Sequence, residues 1–138
     1  MIGLDTNVVV RLLVGDDASQ QRVARDYIAR HSSPDAPAWI NRIVAVEIAW
    51  VLERSYAFER AQIAAAFEKL LDTAELAFED HDIVRQAVAA YRRGAGFADA
   101  LVAAGNDAAG CATTITFDSA AAKRLHHFAL LTKSRRTS

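Results

Sequence analysis

Short apolar runs alternate along this chain with longer stretches in which apolar residues recur every three or four positions. Met1-Ile2-Gly3-Leu4-Asp5 reads as a buried strand over residues 1–5. Val8, Val9, Leu12 and Leu13 then fall at helical spacing over 6–14, and Gly15-Asp16-Asp17 ends that helix and caps the next. Val23, Ala24, Tyr27 and Ile28 mark a second helix over 18–30. Pro34 and Pro37 make 32–37 a loop, since proline lacks a backbone donor and disfavours helix before it. Residues 38–40 predict a brief strand, with Asn41 capping the helix that carries Glu47.

Ile63, Phe67, Leu70 and Leu71 form a helical stripe over 60–72, and 75–78 is a weaker strand. Ile83, Val84, Ala87, Val88 and Tyr91 mark a helix stopped by Gly94-Ala95-Gly96, and another runs from Phe97 to near Gly110. The β-branched stretch 113–117 predicts a strand, 119–126 a helix, 128–132 a last strand and 133–138 a polar tail. Strands alternating with helices predict one α/β domain over 1–132, a three-layer α/β/α fold. Its central, mainly parallel sheet would hold about five strands. Ligands of such sheets collect beyond the carboxyl ends of the strands, where Asp5 and Asp118 both fall.

At 138 residues the chain can bury one core, and 52% hydrophobic with 24% charged residues is an ordinary globular balance. A formal net charge of −1 leaves no global basic footprint, so any nucleic-acid contact must come from a local patch. Cys111, the single cysteine, excludes an internal disulfide and a cysteine-rich zinc site, and reads as a small buried hydrophobe. His31, His81, His126 and His127 lack the spacing of a histidine metal site. With no signal-like start and no run near the ~20 apolar residues of a membrane span, an intracellular, cytoplasmic setting is expected.

Four acidic residues stand inside or against apolar runs: Asp5, Glu47, Asp99 and Asp118. A buried carboxylate costs several kcal/mol unless a partner or metal compensates. Asp5 and Asp118 have the alternative of capping a helix, and Asp99 that of meeting the positive end of a helix dipole. Glu47 has no capping alternative; it falls mid-helix between Ile43, Trp50 and Val51, where pairing with a buried Arg is the competing account. Two carboxylates ~6 Å apart repel by about 3 kcal/mol at an effective dielectric near ~20, so a converging set implies a shared divalent ion. Hard oxygen ligands suit Mg²⁺ or Mn²⁺.

Leu4-Asp5-Thr6-Asn7, Glu47, Phe97-Ala98-Asp99-Ala100-Leu101 and Thr116-Phe117-Asp118, in this order, resemble the PIN-domain ribonucleases over residues 1 to about 131. The short single-domain form is similar to a VapC-type toxin of a toxin–antitoxin pair. The resemblance implies a PIN-like fold and a hydrolase that cleaves phosphodiester bonds of single-stranded RNA with a metal-activated water. It puts Asp5, Glu47, Asp99 and Asp118 on the acidic positions that bind Mg²⁺ or Mn²⁺, with Thr6, Asn7 and Thr116 as supporting polar residues. It also implies a homodimer silenced by a small antitoxin.

Other classes remain open at this level. A non-catalytic PIN-like module would bind RNA or protein without cutting. An acid-pocket phosphatase fits less well, because Asn7 stands where the haloacid-dehalogenase pattern needs a second Asp, and Lys133 lies in the tail. Arg11, Arg42, Arg92, Arg93, Lys123 and Arg124 are near the acidic positions in sequence and are candidate phosphate contacts. Tyr27, Ile28, Phe67 and Leu70, with Trp50 and Phe58, form an apolar excess that predicts a homodimer and an antitoxin docking surface on helices 18–30 and 60–72.

Overall fold

Side-chain caps start several helices where the sequence puts them. The computed structural model describes residues 1–132. Asp5 accepts a hydrogen bond from the Thr6 N–H at the head of α1 (Thr6–Leu13). Asp17 accepts from the Gln20 N–H at 2.9 Å to open α2 (Ala18–His31), and Asn41 from the Val44 N–H at 2.9 Å to open α3 (Arg42–Arg54). Gln62 reaches back to the Glu59 N–H at 2.8 Å at the start of α4 (Arg60–Leu71). Each such cap is worth about 1 kcal/mol. The remaining helices are α5 (His81–Arg92), α6 (Phe97–Ala108) and α7 (Ser119–Arg124).

The strands are short. Between α2 and α3, β1 (Ala38–Ile40) pairs in parallel with β2 (Leu76–Phe78), in the register Ala38↔Leu76 to Ile40↔Phe78. Farther along the chain, β3 (Thr114–Thr116) pairs in parallel with β4 (Phe128–Leu130). The expected strand over 1–5 is reduced to one bridge, Gly3 to Trp39, held by the Leu4 N–H to Trp39 O bond (2.8 Å) and the Trp39 N–H to Ile2 O bond (2.7 Å). The expected central sheet of about five strands is therefore corrected to two small parallel sheets among the described residues. Three-residue strands offer few ladder bonds, and Ile115 and Phe117 of the β3 region are 64% and 76% exposed, so that segment has no buried sheet face. The 133–138 tail lies outside the described residues.

Aromatic rings knit the core. Phe67 of α4 stacks on Phe97 of α6 with centroids 4.6 Å apart and lies 5.9 Å from Phe78 of β2; Tyr91 of α5 meets Phe97 edge-on at 6.0 Å. Such pairs add roughly 0.5–1.5 kcal/mol beyond burial. Arg60 closes the group: its guanidinium lies 4.4 Å from the Tyr91 ring centroid and donates to the carbonyls of Tyr91 and Ala95. His81 fastens the base of the β1–β2 sheet. Its Nδ1 accepts from the Phe78 N–H at 3.2 Å, and its Nε2 lies 3.0 Å from Leu71 O, assigning the proton to Nε2.

This packing corrects the expected apolar excess. Phe67, Leu70 and Ile28 are buried in the core, and Phe58 packs against it half-exposed. Tyr27 and Trp50, each 53% exposed, do face solvent. Cys111 is exposed too, because it sits in the turn after α6 rather than inside a strand.

Candidate functional site

The four acidic residues are less buried than the sequence implies: Asp5, Glu47 and Asp118 are exposed and Asp99 is half-buried. For Glu47 the reason is visible on α3. Its core face is Val44, Ala45, Ile48, Ala49 and Leu52, while Ile43 (71% exposed), Glu47 and Trp50 form a second stripe that faces water. The apolar neighbours of Glu47 are thus solvent-facing themselves. A groove of about 560 Å³ runs between α3 and α6, lined by Ile43 and Glu47 on one side and on the other by Ala98, the neighbour of Asp99, with Val102 and Asn106 farther along.

Asp5, Asp99 and Asp118 stand at the starts of α1, α6 and α7, where helix dipoles favour negative charge. Asp5 Oδ1 accepts from the Thr6 N–H at 2.8 Å. Asp118 Oδ1 accepts from the Ala120 and Ala121 N–H groups at 2.9 and 3.1 Å. In both cases the protein bonds engage Oδ1 and leave Oδ2 for another partner. Asp99 folds back over Gly96, its Oδ2 only 3.4 Å from where a Cβ would stand at that glycine. Thr116 braces Asp118 through a 3.0 Å bond from the Asp118 N–H to Thr116 Oγ1. Thr6 is buried, and its Oγ1 has no hydrogen-bond partner. Asn7 is exposed at the head of α1.

Sequence reasoning missed Asn106. From the groove beside Glu47 it donates through Nδ2 to Thr114 Oγ1 at 3.0 Å, tying α6 to β3 and the segment that carries Asp118. Its place one turn beyond Val102 on α6 was the available signal. Of the candidate phosphate contacts, Arg11, Arg42 and Arg92 are engaged with Asp16, Asp80 and Glu68. Arg93, Lys123 and Arg124 have no carboxylate partner among the described residues. At the Arg11 pair, partial desolvation works against Asp16 ionisation, but the Tyr56 hydroxyl bond and the Arg11 charge outweigh it and hold Asp16 below its ordinary pKa.

In kind, the donors fit a hard divalent cation: carboxylate oxygens with free Oδ2 atoms and one unpartnered buried hydroxyl beside Asp5. They are not gathered. Among the described residues no group of three or more His, Cys, Asp or Glu side chains is placed to hold an ion.

Residues 2–126 match the family model of the PIN domain, so the chain belongs to the PIN domain family. The fold is of nuclease type, and its members are generally hydrolases that bind RNA and typically use divalent metals. Comparison with curated proteins and with solved structures gives no significant match. No described helix is long and apolar enough to cross a membrane.

Proposed function

We propose that this chain is a Mg²⁺- or Mn²⁺-dependent endoribonuclease that cleaves single-stranded RNA and acts as the toxin of a type II toxin–antitoxin pair. The observation that carries the reading is Glu47. It stands mid-helix in a groove lined mainly by apolar side chains, has no hydrogen-bond or ion-pair partner among the described residues, and faces the helix that bears Asp99. A solvent-facing carboxylate there is not required by the packing, and an added cation would give it a role.

Asp5, Glu47, Asp99 and Asp118 would hold the ion through carboxylate oxygens. The Thr6 hydroxyl, free of protein partners, would orient a ligand or water beside Asp5, while Thr116 fixes the turn that presents Asp118. When bound, Mg²⁺ or Mn²⁺ supplies charge for the phosphoryl oxygens and lowers the pKa of water. Exposed apolar side chains at Val23 and Tyr27 on α2 and at Ile43, Trp50 and Val102 on α3 and α6 support a homodimer and a covering antitoxin, whereas Phe67 and Leu70 of α4 are buried.

The separation of the carboxylates favours one second reading, a PIN-like module that binds RNA or protein without cutting. A cleavage assay on cellular RNA with Mg²⁺ or Mn²⁺ decides between them. Cutting that stops with EDTA and falls by orders of magnitude in Asp99→Asn supports the nuclease. Metal-independent binding without cutting supports the module.

A further inference from the structure

Asp118 is carried by a small unit. Its strands β3 and β4 form a sheet separate from the β1–β2 pair, and α7 joins them. Ala121 and Leu125 reach the core, and two side-chain contacts join the unit to α6. Asn106 Nδ2 donates to Thr114 Oγ1 at 3.0 Å, and His127 Nδ1 lies 3.1 Å from Asp107 Oδ1. Both fall at the end of α6 away from Asp99. Asn106 stands seven positions after Asp99, about 10 Å along a helix axis. Contacts at one end leave the tilt of the unit to be set elsewhere, and tilt moves Asp118 relative to Asp99.

Arg124 makes contact near the other end. It lies six positions after Asp118 on the same short helix, and its guanidinium sits over Gly94 in the turn before α6. Cζ is 3.6 Å from where a Cβ would stand at Gly94 and Nη1 is nearer still, so a side chain at that position would displace the guanidinium. The turn is a firm base. Gly94 has φ 119°, its N–H donates to Tyr91 O at 3.0 Å, and Arg60 bonds the carbonyls of Tyr91 and Ala95. Its place directly after α5 puts Arg124 at the negative end of that helix dipole, which favours a cation there without a carboxylate. Arg124 has no carboxylate partner among the described residues. Gly96, two residues beyond Gly94, is the glycine over which Asp99 folds back.

We infer that Arg124 is a positioning residue: seated on Gly94, it fixes the tilt of α7 and thereby the placement of Asp118 relative to Asp99. The inference rests on the shared-ion reading above and adds to it a residue that acts through the carboxylates rather than on the ion. Charge and position predict opposite signs. The positive charge of Arg124 opposes a cation held by the nearby acids, so its removal for charge alone would tighten Mg²⁺ binding. Loss of the seat would weaken binding, as loss of residues that orient metal ligands does.

The test is the Mg²⁺ dependence of the melting temperature of the full chain, from EDTA upward, fitted for an apparent Kd. The comparison is among wild type, Arg124→Ala, Gly94→Ala and the double variant. Arg124→Gln, which keeps much of the stem, gives the same reading should truncation to Ala weaken the fold. Arg124→Ala should raise the apparent Kd roughly tenfold. Gly94→Ala should raise it by a similar factor, and adding Gly94→Ala to Arg124→Ala should raise it no further, because both substitutions remove one contact. Backbone strain at φ 119° lowers the EDTA melting temperature of Gly94→Ala in either background and is thereby read separately. Unchanged Mg²⁺ affinity in Arg124→Ala, with or without a lower melting temperature in EDTA, overturns the inference and leaves the shared ion standing. So does tighter binding, which would reduce Arg124 to a competing charge, and so does an equal effect of Gly94→Ala in both backgrounds. A wild type whose melting ignores Mg²⁺ and Mn²⁺ sinks the shared ion, and the inference with it.

Discussion

The buried hydroxyl of Thr6, which has no partner, sits directly beside Asp5, whose own Oδ1 is taken by the Thr6 N–H at 2.8 Å. An unsatisfied buried hydroxyl costs about 1–3 kcal/mol, so a fold selected for stability alone would place an apolar group here. Thr6→Val should therefore melt at or above wild type. If the hydroxyl orients a ligand of the site, the same variant should lose about tenfold or more in RNA cleavage. Unchanged cleavage would remove Thr6 from the site.

Asp118 both caps α7 and belongs to the acidic set, and two substitutions separate these roles. Asp118→Asn keeps an acceptor for the Ala120 and Ala121 N–H groups and should melt near wild type while cleaving poorly. Asp118→Ala should lose both cleavage and about 1 kcal/mol of stability. Equal cleavage in wild type and Asp118→Asn would reduce Asp118 to a cap.

Glu47 touches nothing that a neutral amide could not replace. Its exposure predicts that Glu47→Gln changes stability by no more than about 0.5 kcal/mol in urea unfolding. Cleavage in that variant should fall by orders of magnitude. A large loss of stability instead would point to a structural contact.

Tyr91 links α5 to α3 by donating to Glu53 Oε1 at 2.6 Å. Burial, reinforced by the Glu53 carboxylate, pushes its phenol well above the ordinary value, against a smaller opposing effect of Arg60. A raised folded pKa means the contribution is fully present below the unfolded value of about 10 and is lost as pH rises through the folded value. Urea midpoints should fall more steeply for wild type than for Tyr91→Phe above about pH 10. Near neutral pH the Phe variant should be about 1 kcal/mol less stable. Parallel pH profiles would contradict this account.

The helices were legible because their signals are local: Asp17 and Asn41 cap where the chain turns, and the 63-67-70-71 stripe packs into the core. The sheet was not, because pairing of three-residue strands is decided by distant partners rather than by the residues of each strand. On α3 the periodicity was real but ambiguous. Two apolar stripes run along it, and nothing local says that Ile48 and Leu52 face inward while Ile43 and Trp50 face water. That ambiguity moved Glu47 from the expected interior to the surface and hid the groove it shares with α6. The order and spacing of the acidic motifs were enough to point to the PIN family, because they needed no knowledge of packing.

The central claim is that Asp5 and its companions share a divalent ion, and the most direct measurement is the melting shift that Mg²⁺ or Mn²⁺ produces. A ion bound to the folded state raises the melting temperature by mass action. Wild type should shift upward from its value in EDTA, and Asp5→Asn, melting near wild type in EDTA because Asn also caps, should shift less. Equal shifts in the two proteins, or none in wild type, would contradict the claim.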